Sequence, residues 1–418
     1  MRFQKKKLLL SYGNPYVFRD SIAKIIPILS NSFRIWLITT DYYLTNDIHN
    51  YINKMKSNDI LQDFLVLPQP KDTFKLFILL QSNQKFLSSI NFDIFLTGDD
   101  MQLISRFLMD CVVPKKCLRV ILFLSPAYLF FRDINVAKQL VSAYRNKQRL
   151  PKHLIESIPT VFTEQDLETR NFDRNVLAPL FFGKAFPFGP YDNLTQMSSG
   201  RSDVILMNNE EEADAHKILF NMEKIYAVEY PTAGSCQCNQ INKERRSILL
   251  PSPLSSYANR ISKNIIEEYF RDVKNAMKES GAASVHLRPH PADQGNLTEE
   301  IKKYFVINGI QAEIKMLEKP IRNIICSYLG IAGLLSTSFL DARAACEYAF
   351  VVGFESISNI YFSNINNSDP ISLYERVEGI YWIKTSGHYN PKIFQRVRHI
   401  PSKKPSIPEI LVKLSQDN

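Results

Sequence analysis

The chain has 418 residues, of which 45% are hydrophobic and 22% are charged, and its formal net charge is +9 at pH 7. This length is natural for two domains of ordinary size, and the composition is that of a soluble globular protein, which excludes a disordered chain. The positive charge suits an anionic partner such as nucleic acid, an acidic membrane surface or a phosphorylated sugar donor, and charge alone does not choose among them.

Cysteine content and apolar runs bear on the compartment. Six cysteines in this length, with no signal peptide, are typical of a reducing compartment. The leucines at 8–10 and the apolar run at 120–131, which Ser125 and Pro126 interrupt, are too short to span a bilayer. We therefore expect a cytoplasmic protein whose basic surface can make peripheral contact with an anionic membrane at its inner face.

The first part of the chain alternates between apolar runs and amphipathic stretches. The runs are rich in β-branched and aromatic residues and lie at 8–10, 34–39, 63–67, 92–97 and 119–124. Helical patterns are found at 17–29, 101–111 and 134–144. Alternation of this kind predicts a parallel sheet with helices on both faces, so we interpret residues 1–175 as one Rossmann-like domain.

The same alternation returns after a less regular stretch at 176–239, which we interpret as the connection. Residues 240–375 begin with a strand at 247–251 and a long amphipathic helix at 257–279, and further strand–helix pairs follow. Residues 376–418 are predicted to be a basic tail. The sequence thus predicts an α/β fold of two Rossmann-like domains that face each other across a cleft, a GT-B-like architecture.

Two polar loops of the second domain each join a strand to a helix. The first is Arg288–Pro291, which follows an apolar run, and the second is the hydroxyl run Ser336–Ser338. The carboxyl ends of neighbouring parallel strands form one crevice, and hydroxyls and N–H groups at a helix start bind phosphate. We therefore predict a nucleotide-phosphate site formed by these two loops.

Three motifs, in this order, resemble those of the bacterial sialyltransferases of GT-B fold. Asp99-Asp100 ends a strand of the first domain, Arg288-Pro289-His290-Pro291 follows in the second, and Ser336-Thr337-Ser338 comes last. Enzymes of this family transfer a nonulosonic acid from its CMP conjugate without a metal. The resemblance implies an inverting glycosyltransferase that moves sialic acid or a related nonulosonic acid to a hydroxyl of a surface glycan, such as lipooligosaccharide, O-antigen or capsule.

The resemblance also implies a role for each matching residue. Asp100 or Asp99 would be the general base, and His290 would meet the donor phosphate. Glu318 would bind the ribose. The CMP-donor site would further contain Pro251, Ser252, Arg288, Pro291, Ser336, Thr337 and Ser338. Gly13 and Asn14, in the loop after the first strand, would lie on the acceptor side. Neither a metal nor a cofactor is expected, and a homodimer is left open.

Other interpretations of the same residues stay open. Met101 stands where the acidic motif usually has glycine, so either aspartate could be the base, and both could instead cap the following helix. Glu318 could be a surface acid, the three hydroxyls could cap their helix, and His286 is expected to pack within the sheet.

The donor and the class of protein have alternatives too. Kdo transferases and teichoic-acid polyol-phosphate transferases pair a similar Arg-Pro-His-Pro motif with a hydroxyl-rich turn, so the donor could be another CMP or CDP conjugate. From a different class, the chain could be a catalytically inactive sugar-binding or nucleic-acid-binding protein. Because its basic residues are dispersed and no nucleic-acid-binding signature is present, we expect no nucleic-acid partner.

Overall fold

The structure is a computed structural model. It describes residues 5–12, 19, 22–41, 44–68, 73–99, 103–123, 176, 178–183, 201–208, 210, 213–214, 217, 222–231, 246–251, 263–289, 296–315, 319–334, 336, 338–355, 357–358, 379–383, 391–394 and 404–416. The chain divides into two compact units. Unit 1 comprises Met1–Glu229, Ile365–Ser368 and Lys404–Asn418, and unit 2 comprises Tyr230–Asn364 and Asp369–Lys403.

Unit 1 is built on a sheet of seven strands. In chain order they are β1 (Lys6–Tyr12), β2 (Phe33–Thr40), β3 (Asp63–Leu67), β4 (Ile94–Thr97), β5 (Leu118–Phe123), β6 (Val204–Met207) and β7 (Ile225–Ala227). Their order across the sheet is β3-β2-β1-β4-β5-β6-β7, and every pairing is parallel. Leu8, Leu9 and Leu10 of β1 are all fully buried, as expected where helices cover both faces of a parallel sheet.

In the part of unit 1 up to Glu229, five α-helices are described. They are α1 (Ile26–Leu29), α2 (Asn46–Ser57), α3 (Thr73–Ile90), α4 (Leu103–Phe107) and α5 (Ala178–Phe182). Helix α2 buries Ile48, Ile52 and Met55, whose spacing of four and three residues places them on one face. Helix α4 continues as a π-helix over Leu108–Val112, so the predicted helical pattern at 101–111 is regular only in its first part.

Unit 2 is built on a sheet of six strands. They are β8 (Ser247–Pro251), β9 (Ser284–Arg288), β10 (Ala312–Ile314), β11 (Gly330–Gly333), β12 (Phe350–Phe354) and β13 (Tyr381–Ile383). Their order is β10-β9-β8-β11-β12-β13, again with every pairing parallel. The strand order therefore reverses between β8 and β11, as it reverses between β1 and β4 in unit 1. Such a reversal is the topological switch point of a doubly wound sheet.

The helices of unit 2 form its core with the sheet. They are α6 (Lys263–Ser280), α7 (Asn296–Ile307), α8 (Ile321–Ile324) and α9 (Ser338–Ala345). Helix α6 buries Tyr269, Val273 and Ala276, and α7 contributes the fully buried Phe305 to the same cluster. The predicted α/β fold class with two Rossmann-like domains is confirmed.

Three short strands lie where the sequence predicted no sheet. Strands β6 and β7 fall within residues 176–239 and extend the first sheet beyond residue 175, and β13 falls within the predicted tail. These strands have only three or four residues, which gives too little periodic pattern for recognition. The predicted helix at 134–144 lies outside the described residues.

The last described residues of the predicted basic tail form a helix. Helix α10 (Ile407–Gln416) belongs to unit 1 and begins with a capping box: Glu409 N–H donates to Ser406 Oγ at 3.4 Å, and Ser406 N–H donates to Glu409 Oε2 at 2.8 Å. Lys404 Nζ donates to the carbonyl of Asn208 at 2.8 Å. This lysine therefore has a contact within unit 1.

Two expectations about the compartment can be compared with the described residues. Among them, none of the helices is both long and apolar enough to cross a membrane. Cys326 is disulfide-bonded, whereas Cys111, Cys117 and Cys346 are free thiols. Because stable disulfides are rare in reducing compartments, the cysteine count alone did not determine the redox setting.

Candidate functional site

The carboxyl edge of the second sheet gathers several of the predicted donor-site residues. Pro251 and Arg288 end the neighbouring strands β8 and β9 and are register partners. Gly333 ends β11 on the other side of β8, and a Cβ atom built on it would lie 3.7 Å from the Pro251 carbonyl oxygen. The loops that follow all three strands therefore start next to one another, at the switch point where doubly wound sheets bind ligands.

Arg288 is a buried cation at this edge. Its side chain is 6% exposed, and Nη1 donates to the carbonyl of Lys319 at 2.9 Å. This bond ties the end of β9 to the segment that follows β10, where Glu318 precedes Lys319 in the sequence. The guanidinium is thus held in place at the end of β9, two residues before His290 in the sequence. One N–H group of Arg288 therefore makes a hydrogen bond within the protein, which the sequence did not indicate.

His286, two residues earlier on β9, has contacts within the sheet. Its Nδ1 lies 3.0 Å from the hydroxyl of Tyr328, and its Nε2 lies 3.8 Å from Glu313 Oε2. Burial, followed by the positive charge of Lys315, lowers the pKa of this imidazole below its ordinary value. The packing role expected for His286 agrees with these contacts.

The hydroxyl turn after β11 uses one serine as a local cap. The N–H of Ser338, the first residue of α9, donates to Ser336 Oγ at 3.2 Å, and the N–H of Phe339 donates to the Ser336 carbonyl at 3.0 Å. Both serines are half-buried. A hydroxyl that accepts from an N–H keeps its own proton as a donor, so capping by Ser336 leaves this group able to bind an anion.

Glu355 is a carboxylate at the same edge that the sequence reasoning missed. It directly follows β12, and its Oε2 is buried with no hydrogen-bond partner among the described residues. A buried carboxylate oxygen without a partner is costly, and such groups in native proteins call for an explanation. The signal was present in the sequence as an acid placed directly after the apolar run of β12.

The switch point of the first sheet carries the acidic pair. Strands β1 and β4 are neighbours, with Ser11 opposite Thr97, and Asp99 follows β4 after one glycine. Asp99 is half-buried. Helix α4 is described from Leu103 onward, four residues beyond Asp99. The loop that holds Gly13 and Asn14 leaves from the end of β1, next to the end of β4.

Tyr12, the last residue of β1, interacts electrostatically with Asp99. It is 5% exposed, and its hydroxyl donates to the carbonyl of Leu122 at 3.5 Å. A Cβ atom on Gly98 would be 3.2 Å from the tyrosine ring, so glycine lets the chain pass close over it. Burial, and next the negative charge of Asp99, raise the pKa of the Tyr12 hydroxyl well above its ordinary value.

A row of buried hydroxyls at this edge was also missed. Thr40 and Thr97 end β2 and β4, Ser11 and Thr39 are the second-last residues of β1 and β2, and all four are nearly inaccessible. Thr97 Oγ1 lies 3.0 Å from the Ser105 hydroxyl of α4, and Thr39 Oγ1 is buried without a hydrogen-bond partner among the described residues. The signal was a hydroxyl residue at the end of the apolar runs at 34–39 and 92–97 and directly after the run at 8–10.

The other predicted site residues lie outside the described residues, so their roles stay predictions. They are Gly13, Asn14, Asp100, Ser252, His290, Pro291, Glu318 and Thr337. In the part of the chain that the structure describes, no group of three or more His, Cys, Asp and Glu side chains is placed to hold a metal ion.

Comparison with known proteins gives structural likeness without sequence likeness. No family model matches the chain, and no curated protein matches it. UDP-GlcNAc 2-epimerase of Methanocaldococcus jannaschii, in complex with UDP-GlcNAc and UDP, is similar at a TM-score of 0.51 and 12% identity, over 99% of this chain and 100% of that one. UGT73P12 of Glycyrrhiza uralensis, complexed with glycyrrhetinic acid 3-O-monoglucuronide, is similar at 0.50 and 11% identity, over 94% and 85%.

A glycosyltransferase from Rickettsia africae ESF-5 is similar at a lower TM-score of 0.45 and 10% identity, over 94% of this chain and 86% of that one. At such identities a structural likeness shows the fold and not the activity. The epimerase of Methanocaldococcus jannaschii and UGT73P12 of Glycyrrhiza uralensis share the fold of the two sheets described above. The chain has the GT-B-like α/β fold with two Rossmann-like domains.

Proposed function

We propose that the chain is an inverting glycosyltransferase that moves sialic acid or a related nonulosonic acid from its CMP conjugate to a hydroxyl of a surface glycan. One observation carries the proposal: Pro251, Arg288 and Gly333 meet at the switch point of the second sheet. The sequence that follows these three residues contains Ser252, His290 and the hydroxyl run Ser336–Ser338. This is the expected setting for a nucleotide phosphate in a doubly wound sheet.

The donor chemistry explains these residue types. CMP leaves from a tertiary anomeric carbon through an oxocarbenium-like state, so negative charge grows on the phosphate as the bond between carbon and oxygen breaks. Donors that are already oriented lower the energy of that state without reorganising. In this proposal His290, the hydroxyl of Ser336 and the start of α9 provide them, and Arg288 lies beside the nucleotide.

The acceptor chemistry assigns the acidic pair. The oxygen of the acceptor hydroxyl attacks the anomeric carbon from the side opposite to CMP, which inverts the configuration, and the bonding pair departs with CMP. The proton of the hydroxyl passes to a carboxylate, for which Asp100 is the first candidate and Asp99 the second. A general base of this kind contributes about 10²–10⁴-fold to the rate.

Other donors define the second candidate functions. The Methanocaldococcus jannaschii enzyme of similar fold has UDP-GlcNAc and UDP bound, which makes a UDP-sugar donor the principal competitor. A Kdo transferase or a polyol-phosphate transferase would use a CMP or CDP conjugate at the same edge. All these reactions need the phosphate donors of the second sheet, and they differ in the base and the sugar that are recognised.

Nucleotide release from a panel of donors tests the proposal. The panel contains CMP-sialic acid, CMP-Kdo, CDP-glycerol and UDP-GlcNAc, each offered with and without sialidase-treated lipooligosaccharide as acceptor. We expect CMP release from CMP-sialic acid or a related CMP-nonulosonic acid. Release of UDP alone, or of CMP from CMP-Kdo alone, would replace the donor in this proposal. No release from any donor, together with no nucleotide binding, would favour the inactive sugar-binding alternative.

A further inference from the structure

Tyr269 combines a core ring with a hydroxyl at the ligand-binding edge of the second sheet. It lies on α6, is 3% exposed, and packs with ring centroids 5.7 Å from Phe305 and 5.9 Å from Phe354. The hydroxyl is at the far end of this buried ring. A Cβ atom on Gly333 would lie 3.2 Å from the hydroxyl oxygen. The ring thus belongs to the core, while the hydroxyl reaches the end of β11.

Gly333 places this hydroxyl at the switch point itself. Its φ of +139° lies in a region that residues with a side chain rarely adopt, and the Pro251 carbonyl is 3.7 Å from the same Cβ position. Strands β8 and β11 flank the reversal of strand order. The hydroxyl of Tyr269 therefore lies beside Gly333 at the end of β11, the strand that neighbours β8.

The hydroxyl has no hydrogen-bond partner among the described residues. A buried hydroxyl left without a partner destabilises the folded state, and phenylalanine would fill the same space without that cost. Buried polar atoms of native proteins are almost always paired with protein, water or ligand. A tyrosine here therefore indicates a group that uses the hydroxyl.

We propose that the Tyr269 hydroxyl donates a hydrogen bond to a phosphate oxygen of the bound sugar nucleotide, so that Tyr269 is a further binding residue of the donor site. This inference rests on the proposed function, since it needs a nucleotide at this edge. A phosphate oxygen accepts and cannot donate, and a neutral phenol supplies the proton. Burial raises the pKa of this hydroxyl far above its ordinary value, which keeps it protonated at any working pH.

The test compares two tyrosine-to-phenylalanine variants. In Tyr269→Phe we expect CMP to bind at least about tenfold more weakly by isothermal titration calorimetry, as for one lost hydrogen bond to a charged group. The melting temperature of the free protein should be unchanged or raised. Tyr328→Phe is the matched control, because its hydroxyl has a partner in His286 Nδ1 at 3.0 Å. This control should lower the melting temperature and leave the Kd of CMP unchanged.

The outcomes separate failure of this inference from failure of the proposed function. If wild-type protein binds neither CMP nor UDP, the proposed function is contradicted and the inference falls with it. If wild-type protein binds CMP and Tyr269→Phe binds it with the same Kd, the inference alone is wrong. A lower melting temperature of Tyr269→Phe with an unchanged Kd would identify a partner of the hydroxyl within the protein, which also overturns the inference.

Discussion

The two sheets have the same kind of switch point but line it with different chemistry. The edge of the second sheet carries a buried cation, Arg288, and donor groups such as the Ser336 hydroxyl and the start of α9. The edge of the first sheet carries a half-buried carboxylate, Asp99, and several buried hydroxyls at or near the strand ends. The first set suits an anion such as phosphate, and the second suits a neutral polyol from which a proton is removed.

The different lining residues suggest a different role for each unit, which the shared fold alone does not. A shared α/β architecture says where ligands bind, at the carboxyl ends of the strands, but not which ligand binds. The lining residues make the distinction. Variants of the first edge should therefore change transfer without changing nucleotide binding, and variants of the second edge should change both.

The largest effect is expected at the acidic pair. Asp100→Asn removes the carboxylate proposed to take the acceptor proton, so the transfer rate should fall by about 10²–10⁴-fold. The Kd of CMP, measured by calorimetry, should stay at the wild-type value. Because Asp100 is the first candidate for the base, Asp99→Asn should be the milder variant in the same transfer assay.

The paired variants also distinguish the alternatives. Stronger loss in Asp99→Asn than in Asp100→Asn would make Asp99 the base. Normal transfer by both would remove the acid–base role from the pair. A loss of about 0.5–2 kcal/mol of stability with intact transfer would instead indicate that the affected aspartate caps the following helix.

His290→Ala should come next in size. Loss of one donor to the developing phosphate charge is expected to lower kcat by roughly 10²–10³-fold. The melting temperature should not change, because the sequence places His290 after β9 in a polar stretch, between two prolines. Activity within a few-fold of wild type would show that this histidine does not meet the phosphate.

His286 provides the internal control on the same strand. His286→Ala leaves the Tyr328 hydroxyl without its partner, so we expect a loss of roughly 1–3 kcal/mol in the free energy of unfolding, with kcat within a few-fold of wild type. Chemical denaturation and the transfer assay measure the two quantities. A variant that is as stable as wild type but inactive would exchange the roles of the two histidines.

The pH dependence of stability sharpens the His286 prediction. Because burial lowers the folded-state pKa of His286, the unfolded chain binds its proton more readily, and wild-type stability should fall as the pH drops below 6.5. Denaturation midpoints of wild type and His286→Ala, measured between pH 8 and pH 5, should show this part of the fall only in the wild type. Parallel curves would mean that His286 is not responsible.

The smallest expected effect is that of a chelator. If protein donors alone stabilise the departing phosphate, EDTA should leave the turnover unchanged. Full loss of turnover in EDTA, restored by Mn²⁺ or Mg²⁺, would contradict this and would make the acidic pair a candidate metal ligand. The same assay with added metal and no chelator is the control.

Strong patterns in the sequence predicted most of the architecture. The long apolar runs became β1–β5 and β8, and the amphipathic stripe of α6 appears as Tyr269, Val273 and Ala276 in the core. Short strands such as β6 and β13 were not predicted, because three or four residues are too few to show a periodic pattern. Pairing with neighbouring strands determines whether such segments form strands. The capping box Ser406-Ile407-Pro408-Glu409 was a readable helix signal that the basic charge of the tail obscured.

The part of the candidate site that could be predicted from the sequence consists of polar residues that follow the ends of predicted strands. The neighbouring positions of Pro251 and Arg288 depend on strand order, which local sequence does not encode, so their pairing needed the structure. The Tyr269 hydroxyl could not be predicted at all. In the sequence Tyr269 looks like one more apolar position of α6. Only the packing of α6 in the folded protein brings the Tyr269 hydroxyl close to Gly333.

Hydrogen–deuterium exchange on addition of CMP tests most directly the central claim that the nucleotide binds at the carboxyl edge of the second sheet. We expect CMP to protect peptides that span 284–296 and 330–345. Peptides that span 94–110 in unit 1 should exchange as in the free protein, and His290→Ala should show weaker protection at the same CMP concentration. Protection confined to unit 1, or none at saturating CMP, would contradict the account.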